Sequence, residues 1–201
     1  MKVDLESIKQ LRNMTGAGMV DCSKALEESD GDIEKAVDLL RKKGILKAGS
    51  KSDRTTHEGL IESYIHQNGR LGALVEINCE TDFVARTEVF KDLAHTLAVQ
   101  VASMNPLYVS IEDVPTNVKE KEVEIIKSDK AFKSKPEKVR DSILEGRLSK
   151  YYVQVCLLEQ PYYKDEKIKI ADLINNAISK TGENIKVKRF TRLEIGEEYG
   201  Y

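Results

Sequence analysis

The spacing of hydrophobic and polar positions divides the chain into segments of different period. Leu5, Ile8 and Leu11 recur at helical spacing, and Met14-Thr15-Gly16-Ala17-Gly18 interrupts them with two glycines. Met19 to Glu28 reads as a second helix with Cys22, Ala25 and Leu26 inward. Ile33, Ala36, Val37 and Leu40 stand at i, i+3, i+4 and i+7, one face of a third helix. Ser29 or Asp30 supplies its cap and Gly44 its stop. Residues 1–44 thus predict a three-helix module, near the lower size limit for an independent core. Residues 45–57, with Gly49-Ser50-Lys51-Ser52-Asp53-Arg54-Thr55-Thr56 at their centre, are polar and without period and read as a linker.

From residue 58 the period changes to two. Ile61, Ser63 and Ile65 alternate with Glu62, Tyr64 and His66, and Asn68-Gly69 is the dipeptide a type I′ hairpin turn favours. Ala73, Val75, Ile77 and Cys79 share one face of the return strand. That turn pairs Gln67 with Arg70, and so Glu58 with Cys79. Helices follow: Val89 to Val101, ending before Pro106; about 116–128; and one that Pro136 opens, with Val139, Ile143, Leu148, Tyr152 and Val155 on its face. Ile170, Leu173, Ile174, Ala177 and Ile178 make a last helix, ended at Gly182. Ile185, Val187, Thr191, Leu193 and Ile195 then alternate with Lys186, Lys188, Arg192 and Glu194 in a half-buried strand. Residues 58–201 therefore predict an α+β domain, a small antiparallel three-stranded sheet packed by helices.

Composition narrows the classes of function. Across 201 residues, 32 Lys and Arg nearly balance 34 Asp and Glu, a net charge of −2, so bulk positive charge does not hold this chain to nucleic acid. No apolar run approaches the roughly 18 residues of a membrane helix. The acidic Met1-Lys2-Val3-Asp4-Leu5-Glu6 start is unlike a signal peptide. Cys22, Cys79 and Cys156 are too scattered for a disulfide framework or a metal site, so a reducing cytoplasmic setting is expected.

Several segments carry candidate chemistry. Gly44 to Ser52 resembles a phosphate-binding loop, but its lysine is one place late and a helix precedes it. Cysteine catalysis needs a histidine in reach. On the predicted register His66 lies roughly 26 Å up the strand from Cys79's partner, and His57 points to the opposite face; His95 stays open. Cys22 and Cys156 sit on apolar faces and read as core. Arg41, Lys42, Lys43, Lys47, Lys51 and Arg54 form a basic stretch without interleaved aromatics. It reads as a solvated face or as a contact with RNA or an acidic partner.

The most informative segment is Glu76-Ile-Asn-Cys-Glu-Thr81-Asp82-Phe83-Val84-Ala85-Arg86, between the return strand and the long helix. Locally, Thr81 or Asp82 caps that helix and Phe83 packs beneath it. Alternatively, an aromatic wedge beside a carboxylate is presented on a corner to another protein.

This segment and Leu11-Arg12-Asn13-Met14-Thr15-Gly16-Ala17-Gly18-Met19-Val20-Asp21-Cys22-Ser23-Lys24-Ala25-Leu26 closely resemble the two signatures of the translation elongation factor Ts family. The likeness continues through Met104 to Tyr108, Glu145 to Arg147, Val155 to Pro161 and Lys188 to Arg192. It implies a guanine-nucleotide exchange factor for the GTPase elongation factor Tu, without catalytic chemistry or a cofactor of its own. On that resemblance the first module is ubiquitin-associated (UBA-like), with Arg12, Gly16 and Met19 as contacts to the GTPase's nucleotide-binding domain. Thr81, Asp82, Phe83 and Val84 form a corner that enters the GTPase and disturbs its magnesium site. The chain carries one central domain, like short bacterial members that act as dimers, so a homodimer is expected, with neither direct nucleic-acid nor membrane partners. Two other classes stay in view: a binding partner that does not accelerate release, and an enzyme using Cys79.

Overall fold

The computed structural model describes residues 4–15, 17–49 and 51–197. It opens with α1 (Leu5–Thr15), α2 (Met19–Glu28) and α3 (Ile33–Gly49). Ile8, Leu11, Cys22, Ala25, Leu26, Ala36 and Leu40 close into a core of their own, with Ile33 and Val37 packed against it. The cap is Asp32, not Ser29 or Asp30 as predicted. Asp32 accepts the Lys35 N–H at 3.1 Å, which holds its carboxyl below the usual range, whereas Ser29 terminates α2 and its hydroxyl donates to the Asp32 carbonyl at 2.9 Å. Gly44 does not stop α3. A mid-helix glycine costs only about 1 kcal/mol, and here a Cβ would lie 3.4 Å from Ser179 Oγ, so the bare backbone permits close approach. The segment resembling a phosphate loop is thus helical through Gly49.

The hairpin is β1 (Glu58–Ile65) and β2 (Leu71–Cys79). The His66 N–H donates to the Leu71 carbonyl at 2.8 Å, in the expected register. The turn differs from type I′. Only Gly69 takes positive φ (+66°), while the Asn68 side chain accepts the Arg70 N–H at 3.1 Å. Ala73, Val75, Ile77 and Cys79 are buried as predicted, and Ile61 and Ile65 of β1 face outward.

Beyond β2 come α4 (Asp82–Ala85), α5 (Glu88–Met104), α6 (Thr116–Ser128), α7 (Lys130–Lys133) and α8 (Glu137–Val155). No residue of α8 is fully buried; of its expected apolar face Ile143, Leu148, Tyr152 and Val155 are half-buried and Val139 is exposed. A short pair, β3 (Pro161–Tyr162) with β4 (Asp165–Lys169), precedes α9 (Ile170–Thr181), and β5 (Lys186–Glu194) completes the three-stranded sheet in the order β1-β2-β5. The apolar alternation of β5 changes sense along its length. Val187 is buried, but Leu193 and Ile195 are exposed while the Arg192 side chain is only 11% exposed. Its guanidinium donates to the Ala102 carbonyl and pairs with Glu194 and Glu197, which satisfies the charge it draws inward.

The chain forms two compact units. One comprises residues 1–62, 75–96 and 171–188; the other 63–74, 97–170 and 189–201. The second carries a buried polar pair. Gln100 Nε2 donates to Gln160 Oε1 at 3.1 Å and to the Pro161 carbonyl at 3.0 Å, and Gln160 Nε2 donates to the Met104 and Gln154 carbonyls.

Candidate functional site

β2 ends at Cys79, and the chain must turn at once to begin a helix. Thr81 makes that turn in extended backbone (φ −129°, ψ 155°), and its hydroxyl accepts the Val84 N–H at 3.5 Å. The helix it opens, α4, is a single turn. Thr87 then accepts the Phe90 N–H at 3.3 Å and starts α5 separately. Thr81 therefore caps a free-standing corner, where the sequence suggested the long helix itself. Val84 anchors the corner at 8% exposed, and Phe83, expected by one reading beneath the helix, is 78% exposed. Val84 carries the packing and frees Phe83 to project. Asp82 pairs with Arg86 at 2.7 Å along the turn. Thr81, Asp82, Phe83 and Val84 are thus brought together as one feature.

The corner rests on a floor that no local pattern indicated. The Glu183 carboxylate accepts the Glu80 N–H at 3.1 Å and the Thr81 N–H at 2.9 Å on Oε2, and the Thr81 hydroxyl at 2.6 Å on Oε1. In return Glu80 Oε1 accepts the Asn184 N–H at 2.6 Å. Asn184, 2% exposed, donates from Nδ2 to the Ser52 and Arg54 carbonyls. These groups lie about one hundred positions apart in the chain, so periodicity carries no trace of them.

Cys79 lies under the corner, fully buried, with Sγ 3.1 Å from the Thr81 carbonyl. Burial, then the Glu183 charge, pushes its thiol up to about 11. A thiol so buried and protonated is a poor nucleophile, as inert core cysteines are. His95, left open by the sequence, lies 3.2 Å from Glu62. Cys22 and Cys156 are buried as core residues. Among the described residues, no three His, Cys, Asp or Glu side chains group to hold a metal ion, and no helix is long and apolar enough to cross a membrane.

At the other predicted site, Arg12 near the end of α1 and Met19 at the start of α2 are both exposed. Gly16 lies outside the described residues. Met14 (59% exposed) and Val20 (67%) flank the same junction and were not singled out, although apolar residues beside a glycine break are a readable signal. The six described candidates belong to the first compact unit. Three residues of the basic stretch are paired within the chain: Arg41 with Asp172, Lys43 with Glu28 and Arg54 with Glu80.

Known proteins resemble this chain over nearly its full length. The family model "Elongation factor TS" matches residues 25–197. Elongation factor Ts of Thermotoga petrophila is 59% identical over 199 residues, 99% of either chain, and that of Thermotoga maritima 58% over the same share. Elongation factor Ts of Caldanaerobacter subterraneus subsp. tengcongensis is 52% identical over 195 residues, 97% of this chain and 98% of its own.

Proposed function

Because the chain belongs to the elongation factor Ts family, a family of translation elongation factors, we propose that it binds the GTPase elongation factor Tu in its GDP form, disturbs the magnesium site and promotes GDP release. The supporting observation is Phe83, a large ring left 78% in water above a buried Val84 and a hydrogen-bonded turn. Holding a ring in water gains nothing for this fold and suits insertion into a foreign pocket.

An exchange factor has no bond chemistry; it must bind the nucleotide-free GTPase better than the loaded one. Coupling is reciprocal, so whatever the factor costs the nucleotide, the nucleotide costs the factor. A thousandfold weakening requires about 4 kcal/mol of differential binding. Burying one Phe side chain supplies about 1.5–3 kcal/mol, so other contacts share the work; Arg12, Met19 and Gly16 of the amino-terminal module are proposed among them. Phe83 wedges behind the magnesium site while Asp82 competes for hydrogen bonds there. Loss of the cation uncovers phosphate charge and helps expel the nucleotide. This setting is cytoplasmic.

The outward apolar residues of the sheet, Ile65 (71% exposed), Leu74 (47%) and Leu193 (55%), support a homodimer joined through that face. Release of labelled GDP from elongation factor Tu tests the main reading. The chain should accelerate it, and Phe83→Ala should lose about tenfold or more of that acceleration while staying folded. A complex that forms and leaves GDP dissociation unchanged would make the chain a plain binding partner.

A further inference from the structure

We propose that Glu183 is a positioning residue for the exchange reaction: from the loop after α9 it holds the Thr81–Val84 corner in the geometry that presents Phe83. This rests on the exchange reading above.

A one-turn helix cannot sustain itself, since nucleating the first turn fixes several dihedral angles for a single hydrogen bond. The conformation of α4 must therefore be imposed from outside. Glu183 imposes it with one carboxylate. Two consecutive backbone N–H groups, of Glu80 and Thr81, converge on Oε2, and the Thr81 hydroxyl closes on Oε1 at 2.6 Å. Bonds to an ionised acceptor are among the stronger ones in proteins.

The third bond also sets a direction. A hydroxyl has one proton. Donated to Glu183, that proton points away from α4 and leaves an oxygen lone pair for the Val84 N–H, the bond that caps the helix. Glu183 thus fixes both the entry backbone and the sense of the cap.

The post is itself braced. Gly182, at φ +80°, takes the left-handed turn that ends α9 and delivers Glu183. The Glu183 N–H donates to the Thr181 hydroxyl at the end of α9, at 3.4 Å. Asn184 then locks Glu80 and the Ser52–Arg54 turn in place. All of these groups belong to one compact unit.

Glu183→Ala removes both acceptor oxygens and with them all three hydrogen bonds. Glu183→Gln keeps one carbonyl oxygen and puts an NH2 among donors, a milder lesion. The measurement is GDP release from elongation factor Tu titrated with each folded variant, read as a maximum rate and a half-saturating concentration. Glu183→Ala should lower the maximum rate about tenfold or more and Glu183→Gln about threefold, with half-saturation changed less than about threefold. A partly unfolded variant would behave differently: it would raise half-saturation and reach the parent's rate at excess protein. Hydrogen exchange at the amides of Glu80, Thr81 and Val84 supplies a second readout. Glu183→Ala should lose their protection and leave that of Val75 and Ile77 in place. A folded Glu183→Ala variant that keeps the parent's maximum rate, or keeps the protection of those three amides, overturns the proposal. If the parent itself fails to accelerate release, the exchange reading falls, and amide protection still decides whether Glu183 holds the corner.

Discussion

The Thr81–Val84 corner and the outer face of the three-stranded sheet both leave apolar side chains in water, and they do so on different supports. At the corner a single ring, Phe83, stands on one helical turn pinned by a carboxylate. On the sheet, Ile65, Leu74 and Leu193 are separate aliphatic groups spread over three strands that hold one another by main-chain hydrogen bonds. A lone ring on a fixed turn suits a pocket, where a few well-packed aromatics carry most of the binding energy. A shallow aliphatic face suits a second flat surface. Exposure by itself does not distinguish these uses; the backbone under each side chain does.

The most damaging change strikes β1, the strand paired with the one that carries the corner. Gly59 sits at φ +152° across from β2, and an added Cβ would stand 2.1 Å from the Ile77 carbonyl oxygen. Gly59→Ala should cost about 3 kcal/mol or more of stability in urea unfolding, since two backbones must part. A loss below about 1 kcal/mol would mean that the hairpin has slack and that the corner's base is not rigid.

Leu193→Lys addresses the other side of the contrast. It adds charge to the outer sheet face and should weaken self-association about tenfold or more, seen by light scattering at micromolar concentration. Stability should move by less than about 0.5 kcal/mol, because the position is already exposed. A parent that scatters as a monomer would remove the dimer and leave the sheet face without its proposed use.

The smallest effect is one of pH. Burial raises Cys79 and Cys156 from the ordinary 9.0 to about 11, so the folded chain holds those protons longer than the unfolded chain. Their contribution is present in full below pH 9 and is lost as pH rises toward 11. Stability should fall over that window, and Cys79→Ala should flatten the slope. An unchanged slope would show the floor of the corner to be wetter than its burial indicates.

Much of this was legible in the chain itself. Helical spacing located α1, α2 and α5 because a 3.6-residue period reports which side of a local helix is dry. The hairpin register followed from the position of its turn, and His66 does pair with Leu71. The segment around Thr81 to Val84, by its run of residue types, pointed to the family the chain belongs to. Local pattern failed where distant groups supplied the balancing term. Arg192 turns inward because Ala102, Glu194 and Glu197 receive its charge, and this sends Leu193 out into water. Phe83 is free to project because Val84 takes the buried place beside it. Glu183, over one hundred residues from Thr81, holds the corner through bonds that exist only after the chain has folded. Periodicity encodes the geometry of neighbours along the backbone, whereas hydrogen-bond partners across the fold are matched in space and leave no spacing in the sequence to read.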